Sequence, residues 1–158
     1  MIRTYRILAH VIAALVGVQA ASHAWSSAGL GLYVMNGGVI DKSMMEDTGG
    51  PLPFPEVLGI LIHGLNGGIV IPAVALALLV ISFFTKAKGT ILWAGIVLAV
   101  VALQMTLGYE GHGLPLLALF HGLNALVLFS VALNAGRVAR HRAIALADPS
   151  TNEDLATV

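Results

Sequence analysis

The chain has 158 residues, of which 58% are hydrophobic and 10% charged, and its eight basic residues balance eight acidic ones. A soluble domain carries about a quarter charged residues, so this composition, with a mean hydropathy of +0.90, excludes one; it excludes a disordered chain as well. What remains is an integral membrane protein, with no basic patch for nucleic acid and, lacking cysteine, no disulfide, thiolate metal centre or cysteine-attached haem.

Four continuous apolar runs follow, at about 7–34, 57–84, 90–109 and 114–136. Each is long enough to cross a bilayer core as a helix, and none alternates in polarity as a membrane strand would. The expected fold is an all-α integral membrane four-helix bundle, one domain over residues 1–147, with a polar cytoplasmic tail at 148–158. Arg3 and Arg6 ahead of the first run, with Ala21-Ser22-His23-Ala24 later in it, resemble a secretory leader. The run continues to Val34, however, and Ala9, Ala13, Gly17 and Ala21 recur at every fourth position, a small-residue stripe suited to helix packing. It is therefore read as a span.

Between the runs lie a long Gly- and Pro-rich break from Asn36 to Pro55, the turn Lys86-Ala87-Lys88-Gly89, and the turn Glu110-Gly111-His112-Gly113. Arg3, Arg6, Lys86, Lys88, Arg137, Arg140 and Arg142 fall on one side, leaving Lys42 on the other. The positive-inside rule then predicts a multi-pass protein of the cell inner membrane with both termini cytoplasmic. Trp25, Tyr33 and Tyr109 near the outer ends, and Tyr5 and Trp93 near the inner ends, read as interfacial anchors.

His63-Gly64-Leu65-Asn66 in the second run recurs as His121-Gly122-Leu123-Asn124 in the fourth. Gln19 and Gln104 extend the correspondence, which predicts two related helix hairpins about a pseudo-two-fold axis. At 1.5 Å per residue His63 lies about 10 Å below Glu56 and His121 about 12 Å below Gly113, so the two imidazoles share one level, with His23 near it. Ionisable groups at such depth point into a bundle and mark function. A facing pair of histidines is the pattern of axial ligands for a flat macrocycle, best haem b, although interhelical hydrogen bonding explains the same residues.

Asn66 and Asn124 share a helix face with their histidines and could bond either a haem edge or a neighbouring backbone. Gly64, Gly67 and Gly68 leave room for a porphyrin face or for close helix contact, and Pro72 should bend the second helix just below. His23 is read as a hydrogen-bonding group beside the site. His10, on largely another face of the first helix, gives weak grounds for a second haem, while His112 and His141 suit solvated positions. Met44 and Met45 in the long break could bind Cu(I), or simply be buried beneath a folded-back loop.

With Phe120-His121-Gly122-Leu123-Asn124 in its fourth span, the chain resembles a bacterial family of small four-helix membrane proteins that carry a Gln in the first helix, a His in the second and a Phe-His-x-Leu-Asn motif in the fourth. It is also similar in plan to one half of haem A synthase, in which histidines on the second and fourth helices hold a haem. That resemblance implies haem binding at His63 and His121. The Glu-x-x-His-Arg pattern of that enzyme is absent here, and haem oxidation is not implied.

The sequence thus points to a b-type cytochrome in which His63 and His121 hold a haem near the outer face, and His23, Asn66, Asn124, Gly64 and Gly67 surround it. Its expected partners are quinol or quinone, or an outer-side redox protein, in a homo-oligomer or a larger membrane complex. As an enzyme it would be a haem-dependent membrane oxidoreductase. Two alternatives stand beside it: a non-catalytic accessory subunit of a membrane complex, and an enzyme acting on haem or a lipid-soluble substrate, with His23 or Glu56 as acid or base.

Overall fold

Long apolar runs satisfy their own backbone in lipid only as helices or closed barrels. The computed structural model describes residues 1–41, 51–85 and 87–147, with side chains as far as residue 140, and contains no strand among the described residues. Helix α1 spans Ile2–Met35, α2 Val57–Ser82, α3 Thr90–Glu110 and α4 Pro115–Ala147. All four are long and apolar enough to cross a membrane. Large apolar side chains such as Leu61, Leu65, Leu92 and Leu126 project outward, a surface suited to lipid rather than water.

Two helices outrun their apolar segments. α1 begins at Ile2 and α4 continues past Gly136 to Ala147, because hydropathy marks only the stretch in apolar surroundings while Arg and Ala extend a helix readily. Gly136 does not end α4; a Cβ there would collide with the His10 ring of α1. The Met44–Met45 pair and the 148–158 tail lie outside the described residues, as does the side chain of His141.

The helices pack in a ring, α1 against α2 and α4, and α3 against α2 and α4. The seam of α1 is Tyr5, Ala9, Ile12, Ala13, Val16, Ser22, Ser26 and Gly29. This corrects the stripe at every fourth residue. A step of four advances about 40° beyond a full turn, so Ala9 and Ala13 are buried but Gly17 and Ala21 have rotated out to the exposed surface. The seam follows alternating steps of three and four instead.

Tyr5 is not an interfacial anchor. It is fully buried, and its hydroxyl crosses the bundle to donate to the Thr90 carbonyl at 3.0 Å. At the same end Gly89 takes the left-handed conformation, φ 88°, to start α3, and the Thr85 and Thr90 hydroxyls lie 2.6 Å apart. Tyr5→Phe should therefore lower stability by about 1 kcal/mol, the worth of one such bond, read as a fall in the thermal midpoint in detergent.

Pro72 perturbs α2 differently from a simple kink. Residues Asn66–Val70 form a π-helical turn in which Ile71 N–H donates to the Asn66 carbonyl. The wider turn takes up the bond that Pro72 cannot make to the Gly68 carbonyl. Beyond it, Val57–Leu65 packs on α1 and makes no extensive contact with α3, whereas Ile71–Ser82 packs on both. Above the π-turn α3 meets α2 through side chains rather than close helix contact, the Tyr109 hydroxyl reaching the α2 backbone at Gly68.

Close approach of α1 and α2 depends on small residues. A Cβ on Gly59 would strike the Ser22 carbonyl and Ser26, and one on Gly29 would strike the Glu56 side chain. Ser22, Ser26, Gly29 and Gly59 are all buried. This seam holds the upper part of α2 against α1, one turn from His63.

Candidate functional site

His63 on α2 and His121 on α4 face each other across the bundle, their ring centroids 6.0 Å apart and their planes 52° apart. Both are half-buried. His23 on α1 joins them, its ring edge-on to His63 at 5.2 Å, with Nδ1 3.3 Å from the Ser27 hydroxyl. Helical spacing alone placed three histidines near one level, and the bundle brings them together.

His63 and His121 are each held by a backbone carbonyl one helix away. His63 Nδ1 lies 3.1 Å from the Gln19 carbonyl, and His121 Nδ1 lies 2.9 Å from the Gln104 carbonyl. A carbonyl can only accept, so both bonds place the proton on Nδ1 and leave Nε2 with its lone pair. Such a second-nitrogen bond orients an imidazole that serves as a metal ligand and raises its basicity.

The asparagines complete the same arrangement twice. Asn66 Nδ2 donates to the Leu15 carbonyl at 3.0 Å and to Gln19 Oε1 at 3.1 Å. Asn124 Nδ2 donates to the Val100 carbonyl at 3.2 Å and to Gln104 Oε1 at 2.7 Å. Leu15 and Val100 each precede their glutamine by one helical turn, so the bonds correspond atom for atom. Of the two roles open to the asparagines, the structure displays the bond to a neighbouring helix.

One difference separates the clusters, and a single side chain accounts for it. Gly67 leaves space that the Gln19 amide occupies, so closely that a Cβ there would meet its nitrogen. The corresponding position after His121 is Ala125, which carries a methyl where Gly67 carries none. The Gln104 amide turns instead to His121, with Nε2 3.0 Å from the His121 carbonyl and 3.2 Å from His121 Nε2. Among the described residues no hydrogen bond reaches His63 Nε2. Gly67 is thus a seat for Gln19, while Gly64, with no atom within 4 Å of an added Cβ, borders open space.

The donor set decides what could bind. Among the described residues no three His, Cys, Asp or Glu side chains converge to hold a metal ion, and two imidazoles alone are too few for a protein-held ion. Two neutral imidazoles suffice when the metal brings its own equatorial donors. His63 and His121 would be the residues to hold such a group, and the group would supply the remaining donors. The 6.0 Å between their ring centroids leaves the two side chains close enough to share one such group.

The remaining candidates fall elsewhere. His112 is exposed and bonds only the Tyr109 carbonyl of its own turn, at 3.0 Å. His10 lies toward the opposite end, its Nδ1 2.6 Å from the Arg6 carbonyl. Comparisons of the chain with family models, curated proteins and solved structures found no match.

Proposed function

We propose that this chain is a haem-binding membrane protein with His63 and His121 as axial ligands, a b-type cytochrome that passes single electrons. The observation that carries the reading is the pair of imidazoles 6.0 Å apart, each with Nδ1 fixed by a carbonyl, His63 Nε2 without a hydrogen bond among the described residues and His121 Nε2 met only by the Gln104 amide. When bound, haem supplies reversible one-electron chemistry, and two histidine ligands leave it no open coordination position. Gly64, next to His63, has no atom within 4 Å of an added Cβ, so no side chain there would obstruct a bulky group held by His63. Ligation requires Gln104 Nε2 to leave His121 Nε2, and that amide keeps its bond to the His121 carbonyl.

On this reading the two His-Gln-Asn clusters are a pseudo-two-fold repeat of helix hairpins, the plan of one half of haem A synthase and of the small bacterial family with the Phe-His-x-Leu-Asn motif. The end carrying Arg3, Arg6, Lys88, Arg137 and Arg140 is cytoplasmic by the positive-inside rule. The site then lies in the outer half of an inner membrane, close to quinol or to an outer-side partner. In oriented proteoliposomes an impermeant reductant should reduce the haem faster from the loop side than from the basic side. Faster reduction from the basic side would overturn that placement.

A second reading has its own observation. The Gln104 bond to His121 Nε2 is what an accessory subunit would use if the clusters only join helices. An absorption spectrum of the detergent-purified protein, expressed with ample haem, decides between them. A Soret band with sharp reduced α and β bands supports the cytochrome, and a colourless protein supports the accessory subunit.

A further inference from the structure

At the end of the bundle away from the histidine pair, one face of α1 carries Arg3, Arg6 and His10 in line with Ile7, Val11 and Ala14. These residues line an open groove of about 700 Å³. Three features of the groove call for an anion. Arg6 is half-buried, its Nε enclosed by protein without a hydrogen-bond partner, so its charge is only partly hydrated and gains from a counter-ion at the groove. His10 is pinned between the Arg6 carbonyl and Gly136 of α4, and in antiparallel helices that contact brings Arg140, one turn beyond Gly136, to the level of Arg6. Among the described residues this end holds Arg3, Arg6, Lys88, Arg137 and Arg140 and no carboxylate, since Asp41, Glu56 and Glu110 all belong to the other end.

The apolar half of the groove identifies the anion. Ile7, Val11 and Ala14 continue the line of Arg3, Arg6 and His10 away from the basic end, and they are exposed along a helix long and apolar enough to span a membrane. A free phosphate would use only the charged part. A phospholipid uses both, its headgroup between the guanidiniums and one acyl chain along the apolar stripe.

We infer that Arg3, Arg6 and His10 of α1, with Arg140 of α4, form a binding site for one anionic phospholipid. The arginines hold the phosphate, His10 closes the side toward α4, and the Ile7–Ala14 stripe receives the chain. The site is separate from the histidine pair and independent of what that pair binds.

Native mass spectrometry of the delipidated full chain, titrated with phosphatidylglycerol or phosphatidylcholine, tests this. Wild type should bind one phosphatidylglycerol tightly and phosphatidylcholine weakly, with millimolar inorganic phosphate failing to compete. The double variant Arg3→Gln, Arg6→Gln should lose roughly thirtyfold in phosphatidylglycerol affinity, about a factor of five per guanidinium. Ala14→Trp keeps every charge and blocks the apolar stripe, so it too should weaken binding with an unchanged circular dichroism spectrum. Equal affinity for the two lipids would overturn the site. So would full competition by free phosphate, or wild-type binding in either variant.

Discussion

Replacing either His63 or His121 by alanine should lower the haem-to-protein ratio of the purified chain at least tenfold, since changes to the outer hydrogen-bond partners of a metal ligand alone cost about 10- to 100-fold in affinity. Each imidazole would supply one ligand bond, and among the described residues no three ligating side chains converge to make up for its loss. His112→Ala should leave the spectrum unchanged, because that ring bonds only within its own turn. The glutamines separate ligation from helix joining. Both Nδ1 bonds go to glutamine backbone carbonyls, so Gln104→Leu keeps them and removes the one donor that competes for His121 Nε2. As a cytochrome, the protein should retain haem in Gln104→Leu and lose it in His121→Ala. As an accessory subunit, it should bind no haem in any variant, and both substitutions should lower its thermal midpoint by similar amounts. Wild-type spectra in both histidine variants would remove the axial pair altogether.

The four spans were legible because lipid leaves the chain little choice: an uncharged run of this length must be helical, whatever its side chains. The histidine level was legible for a related reason, since the rise of a helix is fixed and converts residue number into depth. Rotation was harder to read. Hydropathy around spans that face lipid on most sides carries little directional signal, so it does not show that the stripe at Ala9, Ala13, Gly17 and Ala21 leaves the seam after Ala13. The same gap hides the role of Tyr5: its position near a helix end suits an anchor, and only the Thr90 carbonyl opposite accounts for the buried hydroxyl. Gln19 and Gln104 were visible as a correspondence. That their backbone carbonyls hold the histidines was not, because a carbonyl is present at every position and only packing selects one. The different seats of the two glutamine amides were written in Gly67 and Ala125, but the pair gains meaning only once the helices are side by side.

Gly59→Leu should damage the site without touching a ligand. Gly59 is buried where α2 crosses α1, and any side chain there meets the Ser22 carbonyl, which belongs to backbone and cannot turn aside. Relief requires the helices to part. His63 follows Gly59 by one turn on the same helix face, so parting the helices lengthens its 3.1 Å bond to the Gln19 carbonyl and draws Nε2 away from His121. Overpacking of this kind costs about 1–3 kcal/mol, so the thermal midpoint in detergent should fall, and haem retention should fall several-fold with both histidines intact. Gly59→Ala should show the same two effects in smaller degree. Gly17→Leu is the matched control: it lies on the exposed side of α1 with no atom within 4 Å of an added Cβ, and it should behave as wild type. The alternative is equally definite. If Gly59→Leu lowers the thermal midpoint but leaves haem retention at the wild-type level, α1 does not position His63, and the carbonyl of Gln19 has no part in holding the ligand.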